Sequence, residues 1–316
     1  MGPPESPRAL ALELAGALRA EVAPHLGGDA GRAHAGEAVG GDVTFQIDER
    51  AEAFLERFLA ERAPDVAFYS EDRGLVSPSG GAEWVLVVDP IDGTRPAIAG
   101  FEAACVSVAA APLDPGPAPA GPRMGDVRIG CVVEIKSGQT FVGERNAGLD
   151  PAPTLSANVD LSRMFWAYGL RGRPMRAIAE VVGDLIDASS VGGGTFDLGS
   201  ATFDMTRIVT GQLDAYVEPG PRIVADVPGM RAAFERVGGG AVLNNSPYDL
   251  AAAALIVEEA GGVVTDAYGE PLGGRPILGS GADYQLSCVA AANPELHGAI
   301  LRELDAGVQR LRQKVG

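Results

Sequence analysis

The sequence predicts an α+β fold in two closely packed halves, about 1–150 and 151–316. Three observations carry that expectation. Helical periodicity opens the chain, with Leu10, Leu14, Leu18 and Val22 recurring every four residues. Apolar runs rich in β-branched residues then follow in quick succession, two of them joined by the turn Lys136-Ser137-Gly138. Helices followed by adjoining strands, without strict βαβ alternation, form the α+β pattern.

The elements of the first half follow in order. The opening helix is expected from Ser6 to about Val22. Glycine and alanine dominate 27–41, which includes His34 and Glu37, so that stretch reads as a loop. Gly40-Gly41-Asp42-Val43-Thr44 leads to Asp48, a candidate N-cap for a helix to about Ala63 with the stripe Ala51, Phe54, Leu55, Phe58 and Leu59. A short strand at 66–69 ends in Ser70-Glu71-Asp72-Arg73-Gly74. The run at 84–88 is apolar and β-branched, and reads as a buried strand stopping at Asp89-Pro90. Another strand spans 103–111. Residues 112–125 hold five prolines and three glycines, which makes them a surface loop. Strands at 127–135 and 139–143 complete this half.

The second half starts near Leu161 with a strand at 164–168. Arg171, Arg173 and Arg176 follow, the one locally basic stretch of the chain, and then a helix to about Ala188. These arginines either solubilise a helix start or contact an anion. Leu198-Gly199-Ser200-Ala201 opens a helix ending at Thr210-Gly211, before a strand at 213–218. Residues 219–247, rich in glycine and proline around a helical piece at 229–237, read as an insertion. The helix 249–260 is almost wholly small or apolar, hence buried, and stops at Gly261-Gly262. Strands at 263–265 and 286–291 and a helix from Pro294 close the chain.

Composition excludes some partners. Forty-two acids against 25 lysines and arginines leave a formal charge of −17, which argues against nucleic acid and against an anionic membrane. An anionic substrate would be repelled too, unless bound cations reversed the local sign. Cys105, Cys131 and Cys288 lack C-x-x-C spacing and read as buried small hydrophobes. No run approaches the ~18 apolar residues of a membrane helix. Met1-Gly2-Pro3-Pro4-Glu5 has no signal-peptide character, so a cytoplasmic protein is expected.

Against that acidic background, Asp89-Pro90-Ile91-Asp92-Gly93-Thr94 is the stretch that carries chemistry. Its two carboxylates flank a forced bend, and Gly93 and Thr94 offer N–H and hydroxyl groups to an anion. That combination at a strand end suits a hard cation and a phosphate. Glu71, at the end of the preceding strand, would converge on the same crevice. Asp48 and Asp249, each taken alone, read as helix caps.

Together, Val43-Thr44 with Asp48, Ser70-Glu71-Asp72, the Asp89–Thr94 run, Gly199-Ser200-Ala201, Leu213-Asp214-Ala215-Tyr216-Val217-Glu218, and Tyr248-Asp249 with Gly261-Gly262 resemble the inositol monophosphatase family of magnesium-dependent phosphatases. That family takes in archaeal-type fructose-1,6-bisphosphatases and 3′-phosphoadenosine 5′-phosphate phosphatases. The resemblance implies an alternating α-β-α-β-α layered sandwich and two or three Mg²⁺ ions. It implies Glu71, Asp89, Asp92, Asp249 and the Ile91 carbonyl as metal ligands. Gly93 and Thr94 would hold the phosphate, while Thr94, Asp48 and Glu71 would act on the attacking water. Asp92, Gly199, Ser200 and Glu218 would contact substrate, and Arg171 and Arg173 are further candidates there. Two residues depart from the family pattern: Pro96 stands where asparagine is usual, and Tyr248 where tryptophan is usual.

The expected activity is Mg²⁺-dependent hydrolysis of a small phosphorylated polyol or sugar, such as an inositol monophosphate. A bisphosphate, with Arg171 and Arg173 on its second phosphate, is the alternative. A catalytically silent metal- or phosphate-binding protein is the reading of another class, and a homodimer is left open by the resemblance.

Overall fold

The computed structural model describes residues 6–28, 33–38, 43–113 and 121–315. The readings made at Met1–Glu5, at Gly40-Gly41-Asp42 and within 114–120 lie outside these.

Helix α1 (Pro7–Val22) starts where expected, with the Ala9 N–H donating to the Ser6 hydroxyl at 3.2 Å. The stretch expected as a loop instead contains β1 (His34–Glu37), paired antiparallel with β2 (Val43–Phe45). This strand is made by its partner and not by its own small residues. His34 meets Phe45 edge to face, with ring centroids 5.2 Å apart. Helix α2 (Gln46–Arg62) follows directly. Its N-cap is Phe45, not Asp48, and Asp48 sits three residues in.

Six strands form the first sheet: β3 (Ala67–Ser70), β4 (Gly74–Val76), β5 (Trp84–Asp92), β6 (Cys105–Pro112), β7 (Ile129–Glu134) and β8 (Thr140–Glu144), in the order β4-β3-β5-β6-β7-β8. β3 and β5 are parallel, and the other pairs are antiparallel. Strand β5 does not stop at Val88. It continues through the Asp89–Asp92 motif on a bulge, where Asp89 faces Ser107 and Asp92 faces Cys105. A bulge tolerates Pro90, which has no N–H to give the ladder, and it re-aims the flanking side chains. Helix α3 (Thr94–Ala99) begins at once beyond it.

The second sheet holds β9 (Phe165–Tyr168), β10 (Gly194–Phe196), β11 (Ala215–Glu218), β12 (Val263–Thr265) and β13 (Cys288–Ala291), ordered β10-β9-β11-β13-β12. The sequence reading lacked β10, a three-residue edge strand. Helices α4 (Met175–Ala188), α5 (Ala201–Val209), α6 (Gly220–Asp226), α7 (Met230–Val237), α8 (Pro247–Glu259) and α9 (Pro294–Val315) complete the fold. The 219–247 insertion thus contains two helices, α6 and α7, where one was expected.

Alternation along β5 shows the layering. Leu86 and Val88 pack with α1 and α2 in one core, while Val85 and Val87 pack with α5 and α8 in another. Beyond α5 and α8 lies the second sheet, and its far face packs on α4 and α9. The result is the α-β-α-β-α sandwich. The small residues of α8 let it lie hard against the first sheet: a Cβ at Gly130 would stand 2.5 Å from the Ala252 carbonyl.

Candidate active site

The site forms at the end of β5, where residues of β2, α2, α3, α8 and the intervening loops join those of the strand around one cavity of about 390 Å³. Asp48, Glu71, Asp89, Ile91, Asp92, Gly93, Thr94, Arg171, Gly199 and Asp249 all line it, beside an apolar side made of Val43, Pro96, Ala99, Phe101 and Leu198.

Carboxylate oxygens of Asp89, Asp92 and Asp249 lie within 4.8 Å of one another. Asp89 is braced by the Ile91 N–H, which donates to its Oδ1 at 2.9 Å. The Oδ2 of Asp92 accepts both the Ser200 hydroxyl (2.8 Å) and the Thr202 N–H (2.6 Å). The start of α5 is therefore committed to holding the Asp92 carboxylate. Asp249, three residues into α8, accepts the Ser246 N–H at 2.5 Å.

Electrostatics set the character of this cluster. Burial pushes the Asp89 carboxyl well above its usual range, and the charges of Asp92, Glu71 and Asp249 push it further. Burial also raises Asp92, opposed by its bonds from Thr202 and Ser200. Asp249 is pushed up to about 8, by burial first and then by Asp92. Acids this close stay ionised together when a cation lies between them. An all-oxygen donor set fits Mg²⁺ and offers a softer metal neither thiolate nor imidazole.

A second group adjoins the first. The Thr94 hydroxyl lies 2.9 Å from Asp48 Oδ1 and 3.2 Å from the Ile91 carbonyl. Gly93 between the groups has φ of 91°, and a Cβ there would stand 2.5 Å from the Ala103 carbonyl, so only glycine fits. Glu71 lies in the cavity wall but outside the trio's 4.8 Å grouping.

Three proposed substrate residues take up positions the sequence did not suggest. Glu218 is fully buried, accepts the Gly220 N–H at 2.7 Å and is ion-paired with Arg173; it does not line the main cavity. Arg173 also donates to the Arg171 carbonyl at 2.6 Å. Ser200 lines a smaller neighbouring cavity of about 60 Å³, together with Arg173, Asp204, Asn244 and Asn245. Sequence reading missed Asp204, whose buried Oδ1 has no partner among the described residues, as is also true of Asn244 Oδ1. An acid inside α5, where every other residue is buried, was the available signal.

Known proteins share this architecture. Residues 8–309 match the inositol monophosphatase family. The chain belongs to that family. It is accordingly a phosphoric monoester hydrolase. Among its relatives is a fructose-1,6-bisphosphatase/inositol-1-monophosphatase from Methanothermobacter thermautotrophicus, 28% identical over 311 residues, covering 94% of this chain and 96% of that one. An inositol-1-monophosphatase from Mesorhizobium japonicum is 25% identical over 270 residues, 83% of this chain and 82% of its own. A protein of Neisseria meningitidis named as a putative Nus factor SuhB is 24% identical over 270 residues, 84% and 86% respectively. Of solved structures, the extragenic suppressor protein suhB of Bartonella henselae superposes with a TM-score of 0.69 at 21% identity, over 94% of this chain and 99% of that one. Such a likeness speaks for the fold. Among the described residues, no helix is long and apolar enough to cross a membrane.

Proposed function

We propose that this chain hydrolyses the monophosphate ester of a small polyol or sugar, inositol monophosphate being the first candidate, using Mg²⁺ held by Asp89, Asp92, Asp249, Glu71 and the Ile91 carbonyl. The observation that carries this reading is the convergence of three carboxylates beside the Asp48–Thr94 hydrogen bond. Bound there, Mg²⁺ would neutralise phosphate charge and lower the pKa of a coordinated water.

The chain's own residues supply the rest. Asp48 takes the Thr94 proton in a hydrogen bond, which turns the Thr94 oxygen into an acceptor for the attacking water. Gly93 and Thr94 offer backbone N–H groups to the phosphate. Ser200 and Thr202 keep Asp92 in place, so the site is organised before substrate arrives. The apolar side, with Phe101 63% exposed, receives the carbon skeleton of the leaving group.

A bisphosphate is the second reading, favoured by Arg171, a residue that lines both cavities. Arg173, committed to Glu218, supports it less. Phosphate release from myo-inositol 1-phosphate and fructose 1,6-bisphosphate, with and without Mg²⁺, tests both. Mg²⁺-dependent release from the monophosphate is expected. Arg171→Ala separates the readings, because a second-phosphate contact predicts a loss confined to the bisphosphate. Absence of Mg²⁺-stimulated release across a broad phosphomonoester panel would favour a silent binding protein.

A further inference from the structure

Helix α2 contributes more to this site than Asp48. One turn later it carries Glu52, only 2% exposed. The Ser70 hydroxyl donates to Glu52 Oε2 at 2.7 Å, and the Asp72 N–H donates to Oε1 at 3.2 Å. Ser70 and Asp72 are the residues on either side of Glu71. Two further acids on α2, Glu49 and Glu56, pair with Arg73 at 2.8 and 3.3 Å. Those pairs are largely exposed and hold the turn weakly. Glu52 is the buried contact, and its two bonds go to an acceptor taken out of water.

We propose that Glu52 is a positioning residue that sets the place of Glu71 in the cation site by bonding its two chain neighbours. The inference rests on the metal-dependent reading above. β3 pins the base of the turn, with Ser70 paired to Val88 and to Gly74. The strand ends at Ser70, and beyond it Glu52 bonds the residues on both sides of Glu71. Because α2 also carries Asp48 to Thr94, one rigid helix sets the distance between Glu71 and the Asp48–Thr94 pair. A residue that supports a ligand in this way typically alters metal affinity by about 10–100-fold when removed.

The requirement is for an acceptor at Asp72 and a partner at Ser70, not for charge. Glutamine meets both, since its carbonyl accepts from Asp72 and its amide can donate to the Ser70 oxygen. The test is Mn²⁺ binding to the full chain, followed by electron paramagnetic resonance, with the Mg²⁺ concentration for half-maximal activity measured alongside. Glu52→Ala is expected to weaken Mn²⁺ binding about tenfold or more and to raise the Mg²⁺ requirement in parallel. Glu52→Gln is expected to stay within about threefold of the parent. Ser70→Ala, which removes one arm only and leaves no large cavity, stands in if Glu52→Ala does not fold, and is expected to weaken Mn²⁺ binding by about three- to tenfold. Parental Mn²⁺ affinity in Glu52→Ala (or in Ser70→Ala, where that variant stands in for it) overturns the proposal, as does a Glu52→Gln defect equal to that of alanine. Tight Mn²⁺ binding by a parent chain that hydrolyses no ester would sink the phosphatase reading while leaving the role of Glu52 intact.

Discussion

Asp48 and Asp249 occupy equivalent places in two different helices. Each is the third residue of its helix and gives one oxygen to the N–H just before it, Phe45 at 2.9 Å for α2 and Ser246 at 2.5 Å for α8. Each also faces the same cavity. Capping and chemistry are thus not alternatives: one oxygen ends the helix, and the carboxylate as a whole belongs to the site. The cap also removes rotamer freedom from a residue that has to be well placed.

That arrangement predicts what Asp48→Asn does. Asparagine still offers the Phe45 N–H an acceptor, so the helix survives, but it draws the Thr94 proton poorly. The expected result is a fall in kcat of about 10²–10⁴-fold, with the Mg²⁺ requirement little changed. Thr94→Ala should cost a similar amount, and the double variant little more than either single one. Steady-state kinetics across a Mg²⁺ titration measures all three.

Arg173→Ala is expected to be costly to the fold. It leaves Glu218 fully buried without its ion-pair partner, a loss of about 3–5 kcal/mol. Adding Glu218→Gln should recover part of it. Urea denaturation of the three proteins is the measurement, and equal stability of parent and Arg173→Ala would show the pair to be unimportant.

Gly93→Ala forces a side chain into a left-handed conformation with the Ala103 carbonyl 2.5 Å away. About 1–3 kcal/mol of stability should be lost. Turnover should fall further than stability alone explains, because the strain sits between Asp92 and Thr94. Thermal melting and kcat, measured on the same preparation, separate these effects.

The raised carboxyls predict an unusual pH dependence for the chelated protein. Asp249 is pushed to about 8 and Glu52 to about 7, each mainly by burial. Between pH 4 and 8 the folded chain therefore holds protons that the unfolded chain has released, and stability falls as pH rises through that window. Cations compete with the protons on Asp249, so Mg²⁺ should raise the melting temperature more at pH 8 than at pH 5. At about 100 times its Kd a cation would add about 2.7 kcal/mol. Glu52→Gln should flatten the part of the slope near pH 7. A chelated protein equally stable at pH 5 and pH 8 would count against these shifts.

Much of the fold was legible because the layers are built from continuous local patterns. Trp84–Val88, the Lys136-Ser137-Gly138 turn and the Ala-rich helix after Tyr248 each declare themselves within a few residues. β1 and β10 did not, since they are short and formed by their partners, Val43–Phe45 and Phe165–Tyr168. Within the site, the Asp89–Thr94 run was legible as a contiguous motif. The commitment of Ser200 to Asp92, the burial of Glu218 under Arg173 and the bracket from Glu52 are pairings across the chain, which no local pattern encodes. Asp204 does not stand out by itself, since a single acid in a helix usually faces water.

Asp92→Asn tests most directly whether the carboxylates of Asp89, Asp92 and Asp249 hold the cation on which phosphate ester hydrolysis depends. Phosphate release from myo-inositol 1-phosphate would be followed across a Mg²⁺ titration for the parent and the variant, with melting temperatures as the control for folding. Mg²⁺-dependent turnover is expected in the parent. In the variant a loss of about 10²-fold or more is expected, equivalent to at least about 2.7 kcal/mol of transition-state stabilisation, with folding retained. A folded Asp92→Asn protein with near-parental kcat and an unchanged Mg²⁺ requirement would contradict it.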